Sequence, residues 1–165
     1  MDLQYRIEAP SMVPYPYCIV AAVSEKALVA IIENGGRGAY RDQHPWLMAR
    51  EMFEAARGQN AFVPLLLATG APLALGHWAR IVDVDCDELH RGMWESRCDF
   101  DSLASVSPIF TALDSLMVKP GDDELRRERL EGVRPWRRAL DERHVRPYAI
   151  CETPAFVGVA LQEQG

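Results

Sequence analysis

The sequence has two lysines, four cysteines and no apolar run long enough to cross a membrane. A helical span needs about 20 predominantly apolar residues, so no membrane partner is expected. The cysteines Cys18, Cys86, Cys98 and Cys151 include no C-x-x-C pair, which argues against a zinc ribbon or a thioredoxin-type site. Cys18 and Cys151 lie in apolar, strand-like runs, where a buried and inert thiol is the usual state. A reducing cytoplasm without disulfides is the expected setting. The opening residues, MDLQYRIEAP, lack the basic and apolar regions of a signal peptide. The chain also lacks a G-x-G-x-x-G, a phosphate loop and an H-x-x-x-H pair. No catalytic residue, metal or cofactor is therefore expected from motifs.

What is present fits one domain over residues 1–165. Apolar residues make up 48% and charged residues 25%, which excludes a mainly disordered chain. Net charge is −6, and the basic side is lopsided, with sixteen Arg against two Lys. Between Leu125 and Arg146 eight Arg face four acids, a local charge of +4 that leaves −10 for the rest. An acidic body repels phosphate, whereas a basic segment on it attracts phosphate.

The pattern along the chain predicts an α+β fold. Residues 1–16 read as an irregular lead-in broken by Pro10, Pro14 and Pro16. Tyr17–Val23 reads as a buried strand and Ser24 as the cap of a helix ended by Asn34-Gly35-Gly36. Residues 36–44 read as a loop, and Pro45 opens a second helix that Gly58 stops. Ala61–Thr69, with Pro64 at an edge or bulge, and Leu73–Val84 form an antiparallel hairpin. Trp94–Phe100 is its partner strand, and Ile109–Val118 reads equally as helix or strand. Asp122–Glu131 is a charged helix, followed by a short helix from Pro135 to Arg143. Arg146–Glu152 is the last strand, with a further short one at Phe156–Leu161. This order is not a repeating βαβ pattern, so helices attached to a small, bent, antiparallel, barrel-like sheet are expected.

Three sets of residues invite chemistry. Tyr40, Trp46, Trp78 and Trp94 lie near loops, turns or a helix start, and Arg80 shares a strand face with Trp78. Such rings stack on bases, and arginine adds a planar, bidentate contact. Arg134, Trp136, Arg137, Arg138 and Arg146 interleave cations with an aromatic ring, a composition suited to a nucleic-acid backbone. The run Asp83, Asp85, Cys86, Asp87, Glu88, His90 offers oxygen donors to a hard cation but lacks the glycine and terminal glutamate of a calcium loop. Cys151, His144 and Glu152 can be written as a nucleophilic triad, yet Cys151 and Glu152 point to opposite strand faces.

The sequence of pieces YCIVAAV, AFVPLLLATGAPLALGHWARIVDVD, WESRCDF and RPYAICETP resembles the PUA-like superfamily, in particular its EVE and ASCH branch, over residues 17–157. The G-x-K-x-x-E-x-R signature of ASCH domains is absent. The resemblance implies a nucleic-acid reader with a modified base held in an aromatic-lined pocket. The leading expectation is thus a non-enzymatic module for DNA or RNA. Two alternatives stand beside it. One is a regulatory or accessory domain docking a protein partner on its acidic face. The other is a small metal-assisted hydrolase built on Asp83–His90.

Overall fold

The computed structural model describes residues 13–106, 111–134 and 137–157. Seven strands form one mixed sheet: β1 (Tyr17–Ala22), β2 (Gly38–Asp42), β3 (Pro64–Thr69), β4 (Ala74–His90), β5 (Met93–Ser105), β6 (Thr111–Ala112) and β7 (Ala149–Glu152). Their order is β2-β5-β4-β3-β1-β7, and β6 pairs with β4. The helices are α1 (Glu25–Glu33), α2 (Leu47–Gly58) and α3 (Asp122–Glu131). No helix among the described residues is long and apolar enough to cross a membrane.

β1 and β3 are adjacent interior strands of the sheet and are buried on both faces, which is why they read as continuous apolar runs. Cys18, Val20 and Ala22 enter a first core cluster with Leu66, Leu75, Trp78 and the later segment Leu113, Leu116, Leu140 and Val145. Ile19 and Ala21 enter a second on the opposite face, with α2, Ile81, Cys98 and Phe100. Alternation along one strand thus feeds two cores. α2 contributes Ala49, Met52 and Ala56, one helical stripe, to the second.

Several expectations are corrected. β1 and β3 run parallel, not antiparallel. Parallel neighbours need a long crossover, and the excursion through α1, β2 and α2 supplies it. The sheet is not closed: β2 and β7 end its path without pairing to each other. Register shifts at Leu67/Ala68, Trp78/Arg80, Ile81/Asp83 and Glu88/His90 mark bulges along β4 and its neighbours, features that bend a strand. Pro64 opens a central strand rather than lying at an edge, where a first position spares the ladder its missing N–H. Residues 36–44 contain β2 instead of only loop.

Ile109 and Phe110 lie outside the described residues, and the remainder of that stretch is β6 followed by a 3-10 turn at Leu113–Ser115. The helix expected over 135–143 is replaced by extended chain in which Ala139 bridges Met117, and by a 3-10 turn at Glu142–His144. Burial of Leu140 in the first core selects the extended form. Residues 155–157 are helical rather than strand, and 158–161 lie outside the described residues.

Candidate functional site

Tyr40 projects from β2 and Tyr148 sits immediately before β7, the two strands that end the sheet path. Trp46 lies between them, its ring centroid 5.3 Å from that of Tyr40 and 4.4 Å from that of Tyr148. Aromatic packing, not a hydrogen-bond ladder, therefore joins the sheet's two ends. Tilted ring pairs at these distances each add about 0.5–1.5 kcal/mol beyond area burial.

The seam is fixed by polar contacts around it. Trp46 Nε1 donates to Asp42 Oδ2 at 2.8 Å. Asp42 Oδ1 accepts from Gln43 N and pairs with His44 Nδ1, both at 2.8 Å. Ser96, a buried residue on β5, donates from Oγ to the His44 carbonyl at 2.6 Å and accepts from Trp46 N at 3.1 Å. Trp46 is the N-cap position of α2 but has no oxygen with which to cap it. Tyr148 Oη takes that place, accepting from Ala49 N at 3.3 Å, so an orphan amide of the first turn is satisfied from across the seam. Burial pushes the Tyr40 hydroxyl up, the Asp42 charge adds to this, and nearby Arg146 opposes it. Burial likewise raises Tyr148.

A groove of 620 Å³ opens beside the seam, between α1 and β2. Ala22 and Val23 at the end of β1, Ala27, Ala30 and Ile31 on α1, and Phe100 on β5 form its apolar walls. Tyr40, Arg37 and Arg41 also line it. Gly36 and Gly38 shape this region. Gly36 has φ +79°, a left-handed conformation that suits glycine. A Cβ on Gly38 would lie 2.9 Å from Phe100 Cζ and 3.2 Å from Ile31 Cγ1. Arg37, Arg41 and Arg146 are exposed, and none joins an ion pair among the described residues. Volume, apolar walls and a few polar groups match the usual description of a small-ligand site.

No protein-family profile, curated protein or solved structure matches this chain. Of the five residues expected to hold a ligand, Tyr40 lines the groove and Trp46 supports Tyr40 from behind, itself 1% exposed. Trp78 is elsewhere, in the first core, stacked on Phe62 at 6.0 Å. Its Nε1 has no hydrogen-bond partner among the described residues. Arg80 is committed to Asp101 by two bonds of 3.1 and 2.9 Å. Trp94 is half-buried on β5, opposite Glu88.

The basic set is dispersed as well. Arg137 hydrogen-bonds Glu152, and Arg134 stands 4.0 Å from the same carboxylate. Arg138 lines a cavity of 270 Å³ with Lys119 and Glu124. Arg146 is near Tyr40, and Trp136 lies outside the described residues. On the outer face of β4 and β5, Asp83 opposes Asp99, Asp85 opposes Arg97 and Asp87 opposes Glu95. Among the described residues no three His, Cys, Asp or Glu side chains converge to hold a metal ion. Cys151 is fully buried and its thiol is pushed up to about 12 by burial, with a smaller contribution from the Glu152 charge, the reverse of an activated nucleophile.

Arg37, Phe100, Ser96 and Tyr148 were not visible as site residues in the sequence. Folding brings Arg37 and Phe100 together in the groove and sets Ser96 and Tyr148 around Trp46 at the seam, places that separation along the chain does not show. The one local signal is the run Arg37 to Arg41, where two cations flank small residues and a tyrosine.

Proposed function

We propose that this protein is a non-catalytic binding module for DNA or RNA that holds a nucleobase against Tyr40 in the groove between α1 and β2. The observation that carries the reading is the meeting of a 620 Å³ apolar groove, a tyrosine ring and unpaired arginines at one edge of the sheet. A base gains about 1–3 kcal/mol by stacking on an aromatic ring. Arg37, Arg41 and Arg146 would take the phosphates flanking that base, since exposed guanidinium groups suit phosphate geometry. The PUA-like likeness belongs to the same proposal: the sheet stays open in its hydrogen bonding, and the rings of Tyr40, Trp46 and Tyr148 would stand where a barrel has its closing strand pair. A module of this kind would work in the cytoplasm.

Fluorescence anisotropy with single-stranded DNA and RNA oligonucleotides, unmodified and base-modified, tests the reading. Tyr40→Ala is expected to weaken binding about 5- to 150-fold, the loss of one stack. Trp78→Phe is expected to leave affinity unchanged, because that ring faces the core. Absence of binding by the unaltered chain at low salt, or equal affinity for Tyr40→Ala, would overturn it.

A further inference from the structure

The cysteines have no part in the groove, yet two of them hold an unusual relation. Cys18 on β1 and Cys151 on β7 are Cα partners in an antiparallel pair, although 133 positions separate them in the chain. Residues opposed in this way have Cα atoms about 4.5–5.5 Å apart, inside the roughly 4.4–6.8 Å span that a disulfide bridges. Both side chains enter the first core cluster, so they lie on one face of the sheet. Cys86 and Cys98 also share a cluster, but not a register position: Cys86 opposes Ser96, and Cys98 opposes Val84. A diagonal of that kind is about 7–8 Å, at or past the limit for bridging. All four thiols are free and buried.

We propose that Cys18 and Cys151 form a reversible oxidation site, at which a hydroperoxide converts the two thiols into a disulfide that ties β7 to β1. One sulfur, as its thiolate, attacks a peroxide oxygen. The O–O bond breaks, a sulfenic acid forms and hydroxide leaves, taking up the thiol proton as water. The second sulfur then attacks the sulfenic sulfur, the S–S bond forms and a second water departs. Two thiols and one hydrogen peroxide thus give one disulfide and two waters, with both electrons supplied by sulfur.

Access comes through β7. This strand has four residues and ends the sheet path. Its outer side is held by two backbone bonds, Glu152 N to the Met117 carbonyl at 2.8 Å and Lys119 N to the Ile150 carbonyl at 3.0 Å. A short terminal strand opens at lower free-energy cost than the sheet centre. Its release uncovers both sulfurs together, and its return restores their opposition. Burial raises both thiols in the closed state, so reaction proceeds from the open state and is slow. None of this depends on what occupies the groove.

The test uses the full chain. It is treated with hydrogen peroxide, denatured, alkylated and mapped by mass spectrometry, and it carries no substitution. The expected product has lost two hydrogen atoms and two of its four titratable thiols. It yields one cross-linked peptide pair containing Cys18 and Cys151. Dithiothreitol restores the thiols, and the oxidised form melts roughly 5–15 °C higher, as a long-loop staple predicts. Four surviving thiols, a Cys86–Cys98 link, or sulfinic acid in place of the cross-link would each overturn the proposal.

Discussion

Asp42 carries more of the seam than its exposed neighbours suggest. Burial pushes its carboxyl up, but the bonds from Trp46 and His44 outweigh this, and the net pKa lies below the ordinary carboxylate value. A carboxyl with a depressed folded pKa contributes stability above its unfolded pKa and loses it as pH falls through the folded one. The protein should therefore weaken on the acid side as the bonds to Trp46 Nε1 and His44 lose their ionised acceptor. Urea unfolding across an acidic pH series is the check. Asp42→Asn should flatten that limb relative to the unaltered chain, and superimposable curves would remove Asp42 from the account. Ser96 shows a related economy: a single hydroxyl satisfies both the His44 carbonyl and the Trp46 amide, groups that cost about 1–3 kcal/mol each when buried unpaired.

At the level of elements, the groove is set by how closely α1 approaches β2. Gly38 permits that approach, because Phe100 and Ile31 fill the space a Cβ would need. Gly38→Ala should cost about 1–3 kcal/mol through overpacking, read as a lower denaturation midpoint, and unaltered stability would contradict this packing. β1, α1, the β3–β4 hairpin and α3 were legible in the sequence because each carries its own signal. β1 is a continuous apolar run, Ser24 caps α1 by accepting from Ala27 N, and α3 ends at Gly132 with φ +71°. β2 was illegible. Its five residues, GAYRD, have no β-branched side chain and only half-buried inner positions, so β5 imposes the strand on it. The stretch before β7 misled in the opposite sense, since good helix formers there yield to the burial of Leu140 and Val145.

For the whole molecule, the total of −6 is a poor guide to the charge a ligand meets. Acids concentrate on the outer face of β4 and β5, where like charges stand opposite each other at Asp83/Asp99 and Asp87/Glu95. The groove presents Arg37 and Arg41, with Arg146 near Tyr40. If these three meet three phosphates of a single strand, log affinity should fall with log salt at a slope of about −2, at roughly 0.7 per phosphate. Titrations between low and physiological salt measure it, and a slope near zero would leave the arginines outside the interface. Sequence alone placed Tyr40, Trp46 and Arg146 among candidates. It scattered them with Trp78, Arg80 and Trp94 because proximity across a curled sheet leaves no trace in spacing.

The pairing of β1 with β7 has one more consequence. Tyr17 and Glu152 are directly opposed, so the chain enters and leaves the sheet side by side. Topologically the fold is nearly a ring. A ring of this kind can be spliced into a surface loop of another protein while holding that loop's ends a few ångströms apart, as closely as a tight turn would.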